Sequence, residues 1–236
     1  MIRHHPDNNM LLEYSSGSLP WAMSLAVSAH LQLCPQCRQQ RESLNDIGGA
    51  LLSESAPQTI DTDAFSKLMG RIDAAEQQTR EEERLAGEMG EPTARPQRPV
   101  RHTDPILSDL PKVIRKLISR REPLKWKRVS NALRTSRLTT GQDRYEVAFQ
   151  RICRGGQVAE HDHRGREVTV VLVGSFSDAD GVYRRGDFLV REPGDVHRPI
   201  ATQDQECLCL SVVEAPVKVT GLLGWLVNPF LSFRPA

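Results

Sequence analysis

Residues 155-GGQVAEHDHRGREVTVVLVG-174 decide how this chain is read. The run Glu167–Val173, bounded by Gly165 and Gly174, is β-branched and aliphatic, the composition of a buried strand. Side chains alternate along a strand, so His161 and His163 present two imidazoles to one face. A tight turn through Gly165 is expected to bring Glu167 back on the paired strand. Further on, 186-GDFLVREPGDVHRP-199 places His197 just after a Pro-Gly turn, where a barrel would set it beside the other three. Three ring nitrogens and one carboxylate oxygen suit a divalent first-row metal, with zinc foremost and manganese, iron or nickel chemically admissible. Taken singly, each histidine is ordinary; the joint spacing carries the signal.

Outward from this motif the rhythm stays β. YEVAFQRI (145–152), DFLVREPG (187–194) and ECLCLSVV (206–213) are short runs separated by Gly, Pro and Asp turns, which predicts an antiparallel sandwich or small barrel over residues 105–236. Cys207 and Cys209 share one strand face. They read as small core residues, with oxidant-sensitive thiols as the functional alternative. Cys153 reads as core. The apolar tail around Trp225, Phe230 and Phe233 is interrupted by Gly221, Gly224, Asn228 and Pro229 and falls short of the roughly 20 residues that span a bilayer. It is expected to pack on the barrel or on the helical region.

Residues 1–90 are of another kind. They carry 7 Lys/Arg against 13 Asp/Glu, whereas the remainder carries 24 against 17. An acidic first part argues against direct nucleic-acid binding there and suits a basic protein partner. NNMLLEYSSG (8–17) reads as a helix with a Gly stop. SLPWAMSLAVSAHLQLC (18–34) reads as a second, with Ser18 as N-cap and Pro20 in its first turn, and a third is expected over about 35–52. In 61-DTDAFSKLMGRIDAAEQQ-78, Phe65, Leu68, Met69 and Ile72 form a stripe at helical spacing, with Asp61 or Asp63 as cap. That stripe belongs either to a partner's groove or to a fourth bundle helix packed on its own module. Residues 81–104, charged and rich in proline, read as a linker between a helical module (1–80) and the β module. No signal-peptide core precedes them, and five cysteines then fit a reducing, cytoplasmic setting as thiols or metal ligands.

The stretch 29-AHLQLCPQC-37 is the second cluster of chemistry. On a helix, His30 and Cys34 lie four apart and project from one face, and Cys37 is one further turn on. Two thiolates and an imidazole call for a fourth ligand to complete a tetrahedral zinc site. His4 and His5 are the candidates; His5 is favoured because Pro6 and Asp7 after it look like a helix start. A C-x-x-C is also the spacing of a redox dithiol, but that motif follows a strand in a mixed fold, while this one closes a helix.

With both clusters in view a resemblance can be stated. Residues 155–197 resemble the two cupin motifs, the second slightly long between Gly186 and Pro193. The His5, His30, Cys34, Cys37 element resembles a zinc-binding anti-sigma motif. The two in this order resemble the ChrR family of anti-sigma factors. The resemblance implies a zinc-binding helical bundle followed by a cupin β-barrel. It implies that the helical module occludes an extracytoplasmic-function sigma factor in a 1:1 complex, and that the cupin module senses singlet oxygen or related oxidants to release it. Zinc in the helical module would be structural, and neither nucleic acid nor membrane would be a direct partner. The alternative is a metal-dependent cupin oxygenase or isomerase with an accessory zinc module.

Overall fold

The computed structural model describes residues 1–57, 59–88, 104–107, 109–119, 123–141, 143–220 and 235. The chain opens with α1 (Asn8–Ser16), α2 (Trp21–Leu33), α3 (Pro35–Glu54) and α4 (Ala64–Glu88), and a further helix, α5 (Lys112–Ser119), precedes the strands. Asp7 caps α1 by accepting from the Met10 N–H at 2.7 Å. Gly17, in the left-handed region at φ 76°, closes it, and the Ser18 N–H returns to the Glu13 carbonyl at 2.9 Å. Ser18 therefore ends α1 instead of starting α2. The N-cap of α2 is Pro20, with no side-chain cap bond. Cys34 both ends α2 and caps α3, so the C-x-x-C opens a helix as well as closing one.

The strands are β1 (Lys127–Arg128), β2 (Leu133–Leu138), β3 (Glu146–Ile152), β4 (His161–His163), β5 (Glu167–Val173), β6 (Ser175–Ser177), β7 (Val182–Arg184), β8 (Phe188–Arg191), β9 (Val196–His197), β10 (Ile200–Ala201), β11 (Cys207–Val213) and β12 (Val217–Val219). A six-stranded sheet runs β1-β2-β3-β11-β5-β8, and two three-stranded sheets run β10-β6-β7 and β12-β4-β9. The expected antiparallel β module is built from these three sheets. Pro193, Pro199 and Pro216 lack an N–H at the sheet corners and interrupt the pairing. The expected hairpin through Gly165 is also corrected. β4 pairs with β9 and β12, while β5 pairs with β11 and β8, so the chain changes sheet between His163 and Glu167.

The large sheet is apolar on both faces, as its central strands foretell. On β11, Leu208, Leu210 and Val212 face one cluster and Cys207 and Cys209 the other. The first cluster is shared: Val27 and Leu31 of α2, Ile114 and Ile118 of α5, and Val168, Val170 and Leu210 of the sheet belong to one continuous core. Expected as tethered modules, α1–α3 and the β sheets are instead packed together through α2 and α5. Cys153, expected in the core, is half-buried after β3.

α4 differs from the other helices. It runs past the expected boundary at residue 80 to Glu88. Every described side chain on it from Phe65 onward is exposed, so it is not a fourth bundle helix lying on its own module. Residues 89–103 of the expected linker, and Trp225, Phe230 and Phe233 of the tail, lie outside the described residues.

Candidate metal centres

The first centre forms where the N-terminal segment crosses the α2–α3 junction. Ligand atoms of His5, His30, Cys34 and Cys37 all lie within 4.8 Å of one another. His5 Nδ1 is 3.4 Å from Cys34 Sγ and 3.3 Å from Cys37 Sγ. His30 and both thiols are buried. The Cys37 N–H donates to Cys34 Sγ at 3.5 Å, which orients that sulfur at the start of α3. Burial and the adjacent Cys34 push the Cys37 thiol up to about 12, because two neighbouring sulfurs resist carrying charge together in a dry site.

His30 supplies the test of whether these residues fit a metal. Its Nδ1 is 2.7 Å from the Gly186 carbonyl, which can only accept, so Nδ1 carries the hydrogen and Nε2 keeps its lone pair. That Nε2 is buried and has no hydrogen-bond partner. A buried acceptor left bare is costly unless something electropositive meets it. Burial, with the charge of His5, lowers the His30 pKa to about 4 against the opposing Gly186 bond, keeping the ring neutral. Two sulfurs and two nitrogens around one point suit a tetrahedral zinc site.

The second centre sits among the smaller strands. His161 and His197 are directly opposed across β4 and β9, with their Nε2 atoms 3.0 Å apart, and His163 lies beside both on the same face. All three Nδ1 atoms point outward to acceptors: His161 to the Ala159 carbonyl at 2.9 Å, His163 to Glu167 Oε2 at 3.0 Å, His197 to Asp178 Oδ2 at 3.1 Å. The Nε2 lone pairs are thereby turned inward, and that of His163 is buried without a partner. Burial, together with the charge of His161, lowers His197 to about 4; burial lowers His161 as well. This is the arrangement by which outer acceptors fix the tautomer of metal-ligating imidazoles.

Glu167 stands differently from expectation. The cluster comprises the three imidazoles, and Glu167 meets it from behind His163. Its Oε1 accepts from Ser211 Oγ at 2.6 Å and Thr169 Oγ1 at 3.1 Å. Burial pushes this carboxyl up, but the His163 and Ser211 bonds and the charge of the imidazoles outweigh it and bring the pKa down to about 2. The carboxylate is therefore a fixed negative charge one imidazole away from the metal-binding point. The physical reason is the change of sheet at Gly165, which starts β5 outside the plane of β4.

Three groups escaped the sequence reading. Asp178 is a turn residue by its surroundings, and only the fold brings it to His197, where Arg191 Nη2 also holds it at 2.7 Å. Ser211 could have been found by strand parity, since it shares a face with Cys207 and Cys209. Gly186 acts through its carbonyl, which no sequence pattern reveals. Cys207 and Cys209 lie buried, their sulfurs 3.6 Å apart, and Cys209 is raised well above an ordinary thiol by its neighbour and by burial.

Comparison with known proteins now decides the family. A model of the ChrR cupin-like domain matches residues 115–216. The anti-sigma-E factor ChrR of Cereibacter sphaeroides is 32% identical over 231 residues, which is 97% of this chain and 98% of that protein. The chain belongs to the ChrR family of anti-sigma factors. The crystal structure of Rhodobacter sphaeroides SigE in complex with the anti-sigma ChrR matches with a TM-score of 0.68 at 28% identity, over 90% of this chain and 99% of that chain. The likeness to the ChrR proteins thus spans helices and cupin together, as the shared core requires. Among the described residues, no helix is long and apolar enough to cross a membrane.

Proposed function

We propose that this chain is a cytoplasmic, zinc-dependent anti-sigma factor. Its helical part captures an extracytoplasmic-function sigma factor in a 1:1 complex, and its cupin part releases that partner in response to singlet oxygen or related oxidants. The observation that carries the reading is the uncovered face of α4. Phe65, Leu68, Met69 and Ile72 are 73%, 51%, 40% and 43% exposed, and on α3 Ile47, Leu51 and Leu52 are exposed at 58%, 65% and 77%. Large side chains at helical spacing, with acidic surroundings, fit a basic helical partner that takes the stripe into a groove. Burying the exposed parts of these four side chains is worth about 3–6 kcal/mol before the costs of association.

The first centre then has a structural duty: it ties the N-terminal segment, α2 and α3 at one point and sets the direction in which α3 leaves the core. His5, His30, Cys34 and Cys37 would hold zinc there. At the second centre His161, His163 and His197 would hold a divalent metal, zinc foremost, with Glu167 balancing its charge through His163. A bound divalent ion would supply a Lewis-acidic point at which a small oxidised ligand or peroxide can dock. Cys207 and Cys209 are assigned to the core, since both are buried among apolar side chains.

The test is copurification of the full-length chain with each extracytoplasmic-function sigma factor of the source genome. A stoichiometric complex is expected with at least one. Replacing Phe65 and Leu68 together by Asp should weaken it by about 30-fold or more while leaving the fold intact. Capture of none, by protein shown to be folded and metal-loaded, would reject the reading.

A further inference from the structure

The residues ahead of α1 are held down by one turn of the β module. Asp187 is 2% exposed, and its carboxylate accepts three backbone N–H bonds. Oδ2 takes the Arg184 N–H at 2.7 Å, which closes the β7–β8 turn. Oδ1 takes Arg3 at 2.7 Å and His4 at 3.1 Å, so half of this buried carboxylate serves the chain's N-terminus. The Phe188 N–H donates to the His4 carbonyl at 3.0 Å. Residues 3 and 4 are thus pinned, and the next residue is His5, whose ring nitrogen faces both thiols.

The same turn also holds the other imidazole. Gly186, the residue before Asp187, gives its carbonyl to His30 Nδ1, and the Phe188 ring packs edgewise on His30 at 5.6 Å between centroids. Gly186 sits at φ +95°, and a Cβ there would lie 2.4 Å from Ile2 Cδ1. The positive φ favours glycine here, and any larger residue would also push the Ile2 side chain off the turn. Both thiols of the first centre come from the α2–α3 junction; both imidazoles are oriented by the β module.

We infer that Gly186 and Asp187 of the cupin turn are the positioning groups of the N-terminal metal centre: the first fixes the tautomer of His30, the second holds His5 at the sulfurs. The grip of the helical module on its metal is therefore set in part by the cupin module. β8, which follows this turn, ends at Arg191, which holds Asp178 behind His197, so one stretch of chain touches the hydrogen-bond partners of both centres. The inference rests on the metal reading of the first centre and goes beyond it, because it places the control of that centre in the other module.

The experiment uses full-length protein loaded with Co2+. A thiolate-to-cobalt charge-transfer band reports the Cys34–Cys37 centre alone, since no cysteine belongs to the three-histidine cluster. The loss of that band to excess chelator is timed for wild type and for Asp187→Asn, whose amide places a donor against at least one backbone donor. About 10-fold faster loss or more is expected in the variant, with the cupin metal leaving at its wild-type rate. An unchanged rate in folded Asp187→Asn overturns the inference, and so does equal acceleration at both centres, which would mark loosening of the whole fold. Should that variant not fold, deletion of residues 1–3, which spares every ligand, decides by the same readings. A wild type with no thiolate–cobalt band would remove the metal reading and this inference with it.

Discussion

The side chains at both centres are arranged by what stands behind them. Asp178 accepts from His197 Nδ1 and is held in turn by Arg191. Replacing it by Ala should leave His197 free to turn or change tautomer and lower cupin metal affinity by about 10- to 100-fold, measured by chelator competition, with the thiolate centre unaffected. The protonation of the imidazoles gives a second expectation. Burial lowers His30 and His197 to about 4, from 6.5 for a free imidazole. In metal-free protein the unfolded chain takes up protons at these positions where the folded chain does not. Their stabilisation is therefore complete above about pH 6.5 and is lost as pH falls toward about 4. Urea midpoints of the metal-free protein should drop over that interval. A flat profile would mean that the folded state admits protons at both rings.

Among the elements, α5 and α4 are opposites. On α5, Ile114 and Ile118 lie four apart, and both are buried between α2 and the large sheet. Ile114→Ala removes packing from a site closed on all sides and should cost about 2–5 kcal/mol, read from chemical unfolding. On α4 no described side chain beyond Ala64 finds comparable cover. Its amides should therefore exchange hydrogen fast in the free protein and slowly in the complex with a sigma factor. Equal exchange in the two states would separate α4 from the interface. A helix with an apolar face and nothing on it gains its stability when that face is covered, so docking and ordering of α4 belong to one event.

At the scale of the whole molecule, the shared core makes the helices and the cupin one cooperative unit. Val27 and Leu31 pack in the same cluster as Val168 and Leu210, and the β7–β8 turn grips the N-terminal segment. Calorimetry of the metal-loaded protein should show α1–α3 and the β sheets melting in a single transition; two well-separated transitions would contradict the shared core. The consequence for regulation is physical. Packed side chains and hydrogen bonds join the sheets directly to α2 and to the thiolate centre, so a disturbance of the sheets would have a path to both that does not run through the segment between α4 and α5.

The sequence by itself determined what is local or periodic. The α1 stop at Gly17, the Asp7 cap, the α4 stripe, the parity of His161 and His163 and the pairing of His30 with Cys34 are all set within a few residues. Their physics is backbone sterics and the two side-chain periods. The resemblance carried by the two motifs fixed the family. Tertiary structure alone decided that Glu167 meets the cluster from behind His163, because a sheet change at a glycine corner is not written in spacing. It alone placed Asp178 behind His197 and the Gly186 carbonyl behind His30, since a loop carboxylate and a backbone oxygen have no signature in the chain. It also joined the two modules into one core. Which surface would cover α2 depends on contacts between residues more than a hundred positions apart, such as Val27 and Val168.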